Sequence, residues 1–258
     1  MQAYPIATDT LHDLAAARDE ARQAVGRSPD DRRSDAQAQL ARVEQALAAA
    51  DAANSGRTEE ARILLESILP GAEDLRILFF GFQFFFRTSV AEGVAPHLRE
   101  AGLNRAEELV RRRLSLAEAL AAHAAAARAH TNLGLVLQFK GLGAAAEPHY
   151  LLAADIDRRI GNDFGLARDL GNLGQYYESQ GDLERAETLT SQSLDLAERI
   201  AYHELAAGKL ANLGDIARKR GDDAQARHFW EHCVALCEKH GVTAGKDHAA
   251  AMLVALRR

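Results

Sequence analysis

The chain has 258 residues, 26% of them charged and 47% hydrophobic, with a formal net charge of −6. That length builds one large domain or two small ones, and the composition is that of an ordinary soluble protein. The acidic balance disfavours nucleic acid as a partner, because general binding to it needs a basic face.

The N-terminus, "MQAYPIATDTLHDLAAARDEARQ", turns polar within a few residues. It lacks the basic start and long apolar core of a signal peptide, so a cytoplasmic location is expected. A first helix is predicted from Thr8 to Val25, then a polar linker "GRSPDDRRS", then a helix from Asp35 to Ala53. Paired helices are predicted from Thr58 to His240, and a terminal capping helix over Thr243 to Arg258. No run shows the alternation of a strand.

The segment "LRILFFGFQFFFR", Leu75 to Arg87, holds six of the nine Phe residues. On a helix, Leu75, Leu78, Phe79, Phe82, Phe85 and Phe86 form one face, and Ile77, Phe80 and Phe84 a second. About twelve residues are too few for a membrane span, which needs about twenty. The pattern fits a helix buried on several sides. The alternative is a hydrophobic pocket lined by some of the rings. The densest basic run, Arg111-Arg112-Arg113, fans over about 200° of a helix and makes no flat patch.

Further along, "NLG" recurs at Asn132-Leu133-Gly134, Asn172-Leu173-Gly174 and Asn212-Leu213-Gly214, a spacing of 40 each time. Gly141, Gly181 and Gly221 follow in step, and Gly161 and Gly241 fall in the same register. "LNRAEELVRRRLSLAEAL" from Leu103 matches "LERAETLTSQSLDLAERI" from Leu183 at an offset of 80, and "SGRTEEARILLESIL" from Ser55 is a looser copy. Each unit reads as two helices joined at a Gly cap, with Asp182 or Asp222 opening the second. Gly134, Gly174 and Gly214 are expected where helices approach closely. Pro148 predicts that its helix begins late, near Ala146; Pro96 raises the same question one unit earlier.

With Leu173, Gly174, Tyr177 and Ala186 in the best copy, the chain resembles the tetratricopeptide repeat family. The 40-residue period is similar to that of the subclass found in kinesin light chains and bacterial regulators. The resemblance implies an all-α, right-handed superhelical solenoid of antiparallel helix pairs with a C-terminal capping helix. Four segments are expected: an N-terminal helix and linker over 1–35, divergent repeat-like helices over 36–102, regular units over 103–242 and the cap over 243–258.

In that family, first helices line a concave groove. Phase then places Arg128, Asn132, Leu135 and Gln138 in the groove of the first regular unit. Arg168, Asn172, Gln175 and Glu178 follow in the second, and Asn212, Asp215 and Lys219 in the third. The resemblance implies that Asn132, Asn172 and Asn212 hydrogen-bond the backbone of an extended peptide, since Asn offers donors and an acceptor. Equally, each Asn would serve to bond a neighbouring helix and fix the inter-repeat angle. Arg128 and Arg168 suit a carboxylate, or an ion pair between repeats. Gly208 stands at the third equivalent position.

No catalytic constellation converges, and no cofactor motif appears. His228, His232, Cys233, Cys237 and His240 include soft metal ligands. The repeat, however, aligns Cys233 with Ser193 and Ala153, and Cys237 with Ala197, which are small packing positions. We therefore expect no metal, and the paucity of Cys fits a reducing compartment. The lean to Ala and Arg hints at a bacterial source. The expected function is a non-catalytic adaptor that binds a protein or peptide segment in the groove. The alternatives are a self-assembling homo-oligomeric scaffold and a sensor of a small apolar or peptide signal.

Overall fold

The computed structural model of the chain describes residues 8–256. Among them are twelve α-helices and no strand. They divide into two compact units that meet in sequence at Ala121 and Ala122.

The first unit contains α1 (Thr8–Arg27), α2 (Asp30–Asn54), α3 (Thr58–Ile68), one 3-10 turn (Leu69–Gly71), α4 (Leu75–Val90) and α5 (Pro96–Ala119). The predicted polar linker shrinks to Ser28 and Pro29. Pro29, with ψ of 158°, ends α1 and opens α2. The polar residues after it, Arg32, Arg33 and Ser34, are exposed on α2, where polarity is no obstacle to a helix. Pro96 stands at the first position of α5, where its missing N–H has no helical partner to lose.

Helix α4 is the Phe-rich segment, and it is buried on both predicted faces. Ile77, Phe80 and Phe84 are buried on one, and Leu78, Phe82 and Phe85 on the other. Asp74 caps it, accepting from the backbone N–H of Arg76 (2.7 Å) and Ile77 (3.4 Å). Thr10 of α1 donates to Gln83 of α4 at 2.8 Å. The basic run is absorbed locally. Arg111 pairs with Glu107 (2.7 Å), Arg112 donates to the carbonyls of Leu69 and Ala72, and buried Arg113 donates to that of Leu75.

The second unit is regular: α6 (His123–Phe139), α7 (Gly143–Arg159), α8 (Asp163–Ser179), α9 (Leu183–Arg199), α10 (His203–Lys219), α11 (Asp223–His240) and the shorter α12 (Lys246–Ala255). The pairs α6 with α7, α8 with α9, and α10 with α11 pack closely, and α12 lies on α10 and α11. The conserved spacing has a steric cause. A Cβ on Gly134 would lie 2.6 Å from the ring of Tyr150, one on Gly214 2.3 Å from Trp230, and one on Gly174 2.4 Å from Thr190 Oγ1. Residues 150, 190 and 230 thus stand on the glycines of their own pair.

The α7 helix begins at Gly143, earlier than the Ala146 that Pro148 suggested. Pro148 lies inside it and removes one N–H, the one that would reach the Ala144 carbonyl. Both residues are exposed, so water can take that carbonyl. Dropping one solvated bond does not force the helix to start late.

A single turn recurs through this unit. Gly141, Gly161, Gly181, Gly221 and Gly241 all have φ between 68° and 83°. After each, the next N–H reaches back to a carbonyl five residues earlier, as in Asp182 to Tyr177 at 3.0 Å. Ala201 sits in the same register with φ of 54°, and Tyr202 makes the same bond to Ala197 at 2.8 Å. A side chain in this region carries a steric penalty of about 1–2 kcal/mol. Ala201→Gly should therefore raise the unfolding free energy by about 0.5–1 kcal/mol, net of the extra entropy of Gly in the unfolded chain. Urea unfolding reads this as a higher midpoint; a lower one would contradict the strain.

Candidate functional site

Within the second unit the first helices touch in sequence, α6 to α8, α8 to α10 and α10 to α12. The second helices α7, α9 and α11 pack against their own partner and against the next first helix. The first-helix layer is therefore the tighter, inner one.

The residues expected in a groove from phase all lie on these first helices. Arg128, Asn132 and Leu135 lie on α6, Arg168, Asn172 and Gln175 on α8, and Asn212 and Asp215 on α10. Gln175 is exposed, Asn132 is buried, and the other six are half-buried. The amide Nδ2 of Asn132 is buried without a hydrogen-bond partner. The side chains of Asn172 and Asn212 make no hydrogen bond to any described residue. The three amides therefore do not stitch neighbouring helices together.

The charged positions behave differently. Arg168 donates from Nε and Nη2 to Asp169 Oδ1 (3.2 and 3.1 Å) and from Nη2 to Thr131 Oγ1 on α6 (3.2 Å). Thr131 itself donates to Asp169 at 2.7 Å. Asp157, fully buried on α7, lies 3.9 Å from the same guanidinium and accepts from Asn162 at 3.0 Å. Two carboxylates thus face one arginine, and one oxygen of each is left without a donor. Burial, with Asp157 adding to it, lifts the Asp169 carboxyl to about 6 against the pull of Arg168 and Thr131. Arg168 is fixed between repeats.

Two more of the residues selected by phase also bridge neighbouring helices. Lys219 pairs with Glu178 at 2.8 Å, tying α10 to α8. Asp215 accepts from His248 of α12 at 2.8 and 2.9 Å, so the last helix is tied to the groove side of α10. Gln138 accepts from the Tyr150 hydroxyl at 2.9 Å, a bond within its own pair.

Phase reasoning passed over Asp169 and Lys209. They occupy one repeat position, which is Ala129 in the first copy. Lys209 is 7% exposed and has no carboxylate in ion-pair reach among the described residues. Its Nζ lies against Gly171 of the preceding first helix, beside Ser193, and burial lowers its amine to about 8. The signal in the sequence was a charge standing where another copy has Ala. Cys233 and Cys237 are buried and unpaired. The Cys233 thiol points at the Ala207 carbonyl (3.2 Å), and burial pushes it up to about 12.

Family models described as tetratricopeptide repeat match residues 125–199 and 207–241. The chain carries tetratricopeptide repeats over these residues. Its fold is shared with several crystal structures at low identity. BtubC (BKLC) from P. vanneervenii is 17% identical, with 90% of this chain and 91% of that chain covered and a TM-score of 0.59. A putative kinesin light chain from Podosopora anserina, described as having nearly identical TPR-like repeats, is 15% identical over 76% of this chain and 95% of its own, with a TM-score of 0.57. A Rap protein complexed with competence and sporulation factor is 14% identical over 91% of this chain and 67% of its own, with a TM-score of 0.63. No curated protein matches the sequence. The 40-residue repeat of this protein therefore builds the helix pairs seen in the light-chain-like and Rap folds.

The two buried charges between repeats give opposite pH signatures. The folded Asp169 pKa of about 6 lies above its value of 3.8 in the unfolded chain, so protonation favours folding. That contribution is full below about 4 and lost as pH rises through 6. From pH 7 to pH 5 the wild type should gain about 1 kcal/mol relative to Asp169→Asn, compared by urea unfolding. Lys209 has a folded pKa of about 8, below its ordinary 10.5, so its cost is full below 8 and relieved as pH rises towards 10.5. Lys209→Met should stabilise the protein at pH 7 by about 2 kcal/mol, the burden of an unpaired buried charge. Destabilisation would mean that the amine has an essential partner.

Proposed function

We propose that this repeat protein is a non-catalytic interaction module that holds an extended peptide segment along α6, α8 and α10. The observation that carries the reading is the trio of amides, Asn132, Asn172 and Asn212. They recur every 40 residues on one face, and their donors are not taken by neighbouring helices. An extended strand offers alternating backbone C=O and N–H groups, which an amide can meet from either side. Recognition would then depend little on peptide sequence, with Gln175 and Leu135 adding contacts.

The arginines have a smaller part. Arg168 is held by Asp169, and Gly208 interrupts the series, so no continuous clamp for a peptide carboxylate results. Arg128 and Asp215 flank the amides and would bias the direction of the bound segment. The Rap protein of the same fold that is complexed with competence and sporulation factor supports a protein- or peptide-binding role. We place the module in a bacterial cytoplasm, in keeping with its two unpaired cysteines.

Selection from a random peptide display library, followed by N-methylation of each backbone amide of the selected peptide, tests this. Wild-type protein should bind, and methylation at alternate positions should weaken binding at least tenfold. The triple variant Asn132→Ala, Asn172→Ala, Asn212→Ala, checked for folding by circular dichroism, should lose the interaction. Binding that survives both changes would remove the groove amides from recognition.

A further inference from the structure

Helix α7 has an outer face unlike those of its counterparts. Ala144, Ala145, Pro148, Leu151 and Leu152 share the side turned away from α6 and α8, and all five are exposed. Leu151 and Leu152 are 50% and 46% exposed. At the same repeat positions α9 carries Glu184, Arg185, Thr188, Ser191 and Gln192, and α11 carries Ala224, Gln225, His228, Glu231 and His232. The repeat therefore does not require an apolar face there, and the rest of the chain leaves it uncovered.

The order of small and large residues along that face is informative. Ala144 and Ala145 stand seven residues before Leu151 and Leu152, with Pro148 midway. Seven residues are close to two turns, so each Ala lies below its Leu on the same flank. A two-fold axis through Pro148, perpendicular to the helix, brings up an identical face antiparallel. It sets Ala144 against Leu151 of the second copy and Ala145 against Leu152, while Pro148 meets its own image. A large residue then meets a small one at every step, which lets two helices approach closely without voids. Parallel pairing would set Leu against Leu and Ala against Ala.

Charge agrees with the antiparallel order. Asp155, 2.6 Å from Arg159 of its own helix, lies against the turn carrying Lys140 of the second copy. Glu147, the carboxylate nearest the axis, is turned aside and held by the Tyr177 hydroxyl of α8. The two helix dipoles oppose each other favourably. The Ala144 carbonyl that Pro148 leaves open keeps a water, as polar groups in interfaces commonly do. The five residues offer roughly 300–400 Å² of apolar surface per copy, under half of one partner's share in a standard interface. That area suits a weak, reversible dimer rather than an obligate one.

We propose that a second copy of this chain docks on the outer face of α7, forming a two-fold antiparallel helix contact centred on Pro148. Helix α7 lies in the second-helix layer, so the amides of α6, α8 and α10 stay outside the contact.

Sedimentation velocity on the full chain, from micromolar to near-millimolar concentration, tests the docking. The mass should rise from one chain towards two. Leu151→Glu combined with Leu152→Glu should hold the protein at one chain throughout, with circular dichroism confirming the fold. Single cysteines read the register, since Cys233 and Cys237 are buried. An oxidised mixture of Ala144→Cys and Leu151→Cys proteins should give at least tenfold more cross-linked dimer than either alone, because like positions lie farther apart than a disulfide can span. A single-chain mass at every concentration overturns the proposal. So does a dimer that survives the double Leu change, or cross-linking of Ala144→Cys with itself as readily as with Leu151→Cys.

Discussion

The regular half of the protein depends on one backbone event, a left-handed residue closing each helix in step. It turns the chain in three residues, ties off the helix with a bond five residues back, and delivers the next residue as a cap. Because every helix then has nearly the same length, one face of each first helix always returns to the same side. The first-helix amides, the glycines beneath Tyr150 and Trp230, and the ion pairs between repeats all inherit their positions from that turn. The Ala at position 201 shows that the geometry is imposed by the packed pair rather than by Gly alone.

Much of this was legible because a repeat reports on itself. The spacing of 40 placed Gly134, Gly174 and Gly214 at close contacts and set Asn132, Asn172 and Asn212 at one position of successive first helices. The Phe-rich stretch also read correctly as a multiply buried helix, since both of its apolar faces are covered. What stayed hidden depends on distances across the fold. That Arg168 is committed to Asp169 follows from where Thr131 and Asp157 come to lie, not from phase. Pro148 was over-read, because a lost hydrogen bond on a wet face costs less than one in a core. The polar linker was over-read for a similar reason, since exposed helix tolerates Arg and Ser.

The interfaces between first helices show how a repeat accommodates variation. One position holds Ala129, then Asp169, then Lys209, of opposite charge in adjacent copies. The acid is answered by Arg168 and Thr131, while the amine has no carboxylate in reach among the described residues. Both are costly at neutral pH and in opposite directions, so the two joints of the same array respond differently to acid and base. Stability along the array is therefore uneven even though its geometry is not.

The turn closes every 20 residues, yet the inner and outer helices alternate. A duplication or loss of 40 residues would lengthen or shorten the array and leave every face where it was. A change of 20 would exchange the two layers beyond it, moving the amides out of the first-helix layer and the packing glycines to the wrong partner. The backbone thus counts in half-repeats while the side chains count in whole ones, and only the larger unit can be copied by evolution without penalty.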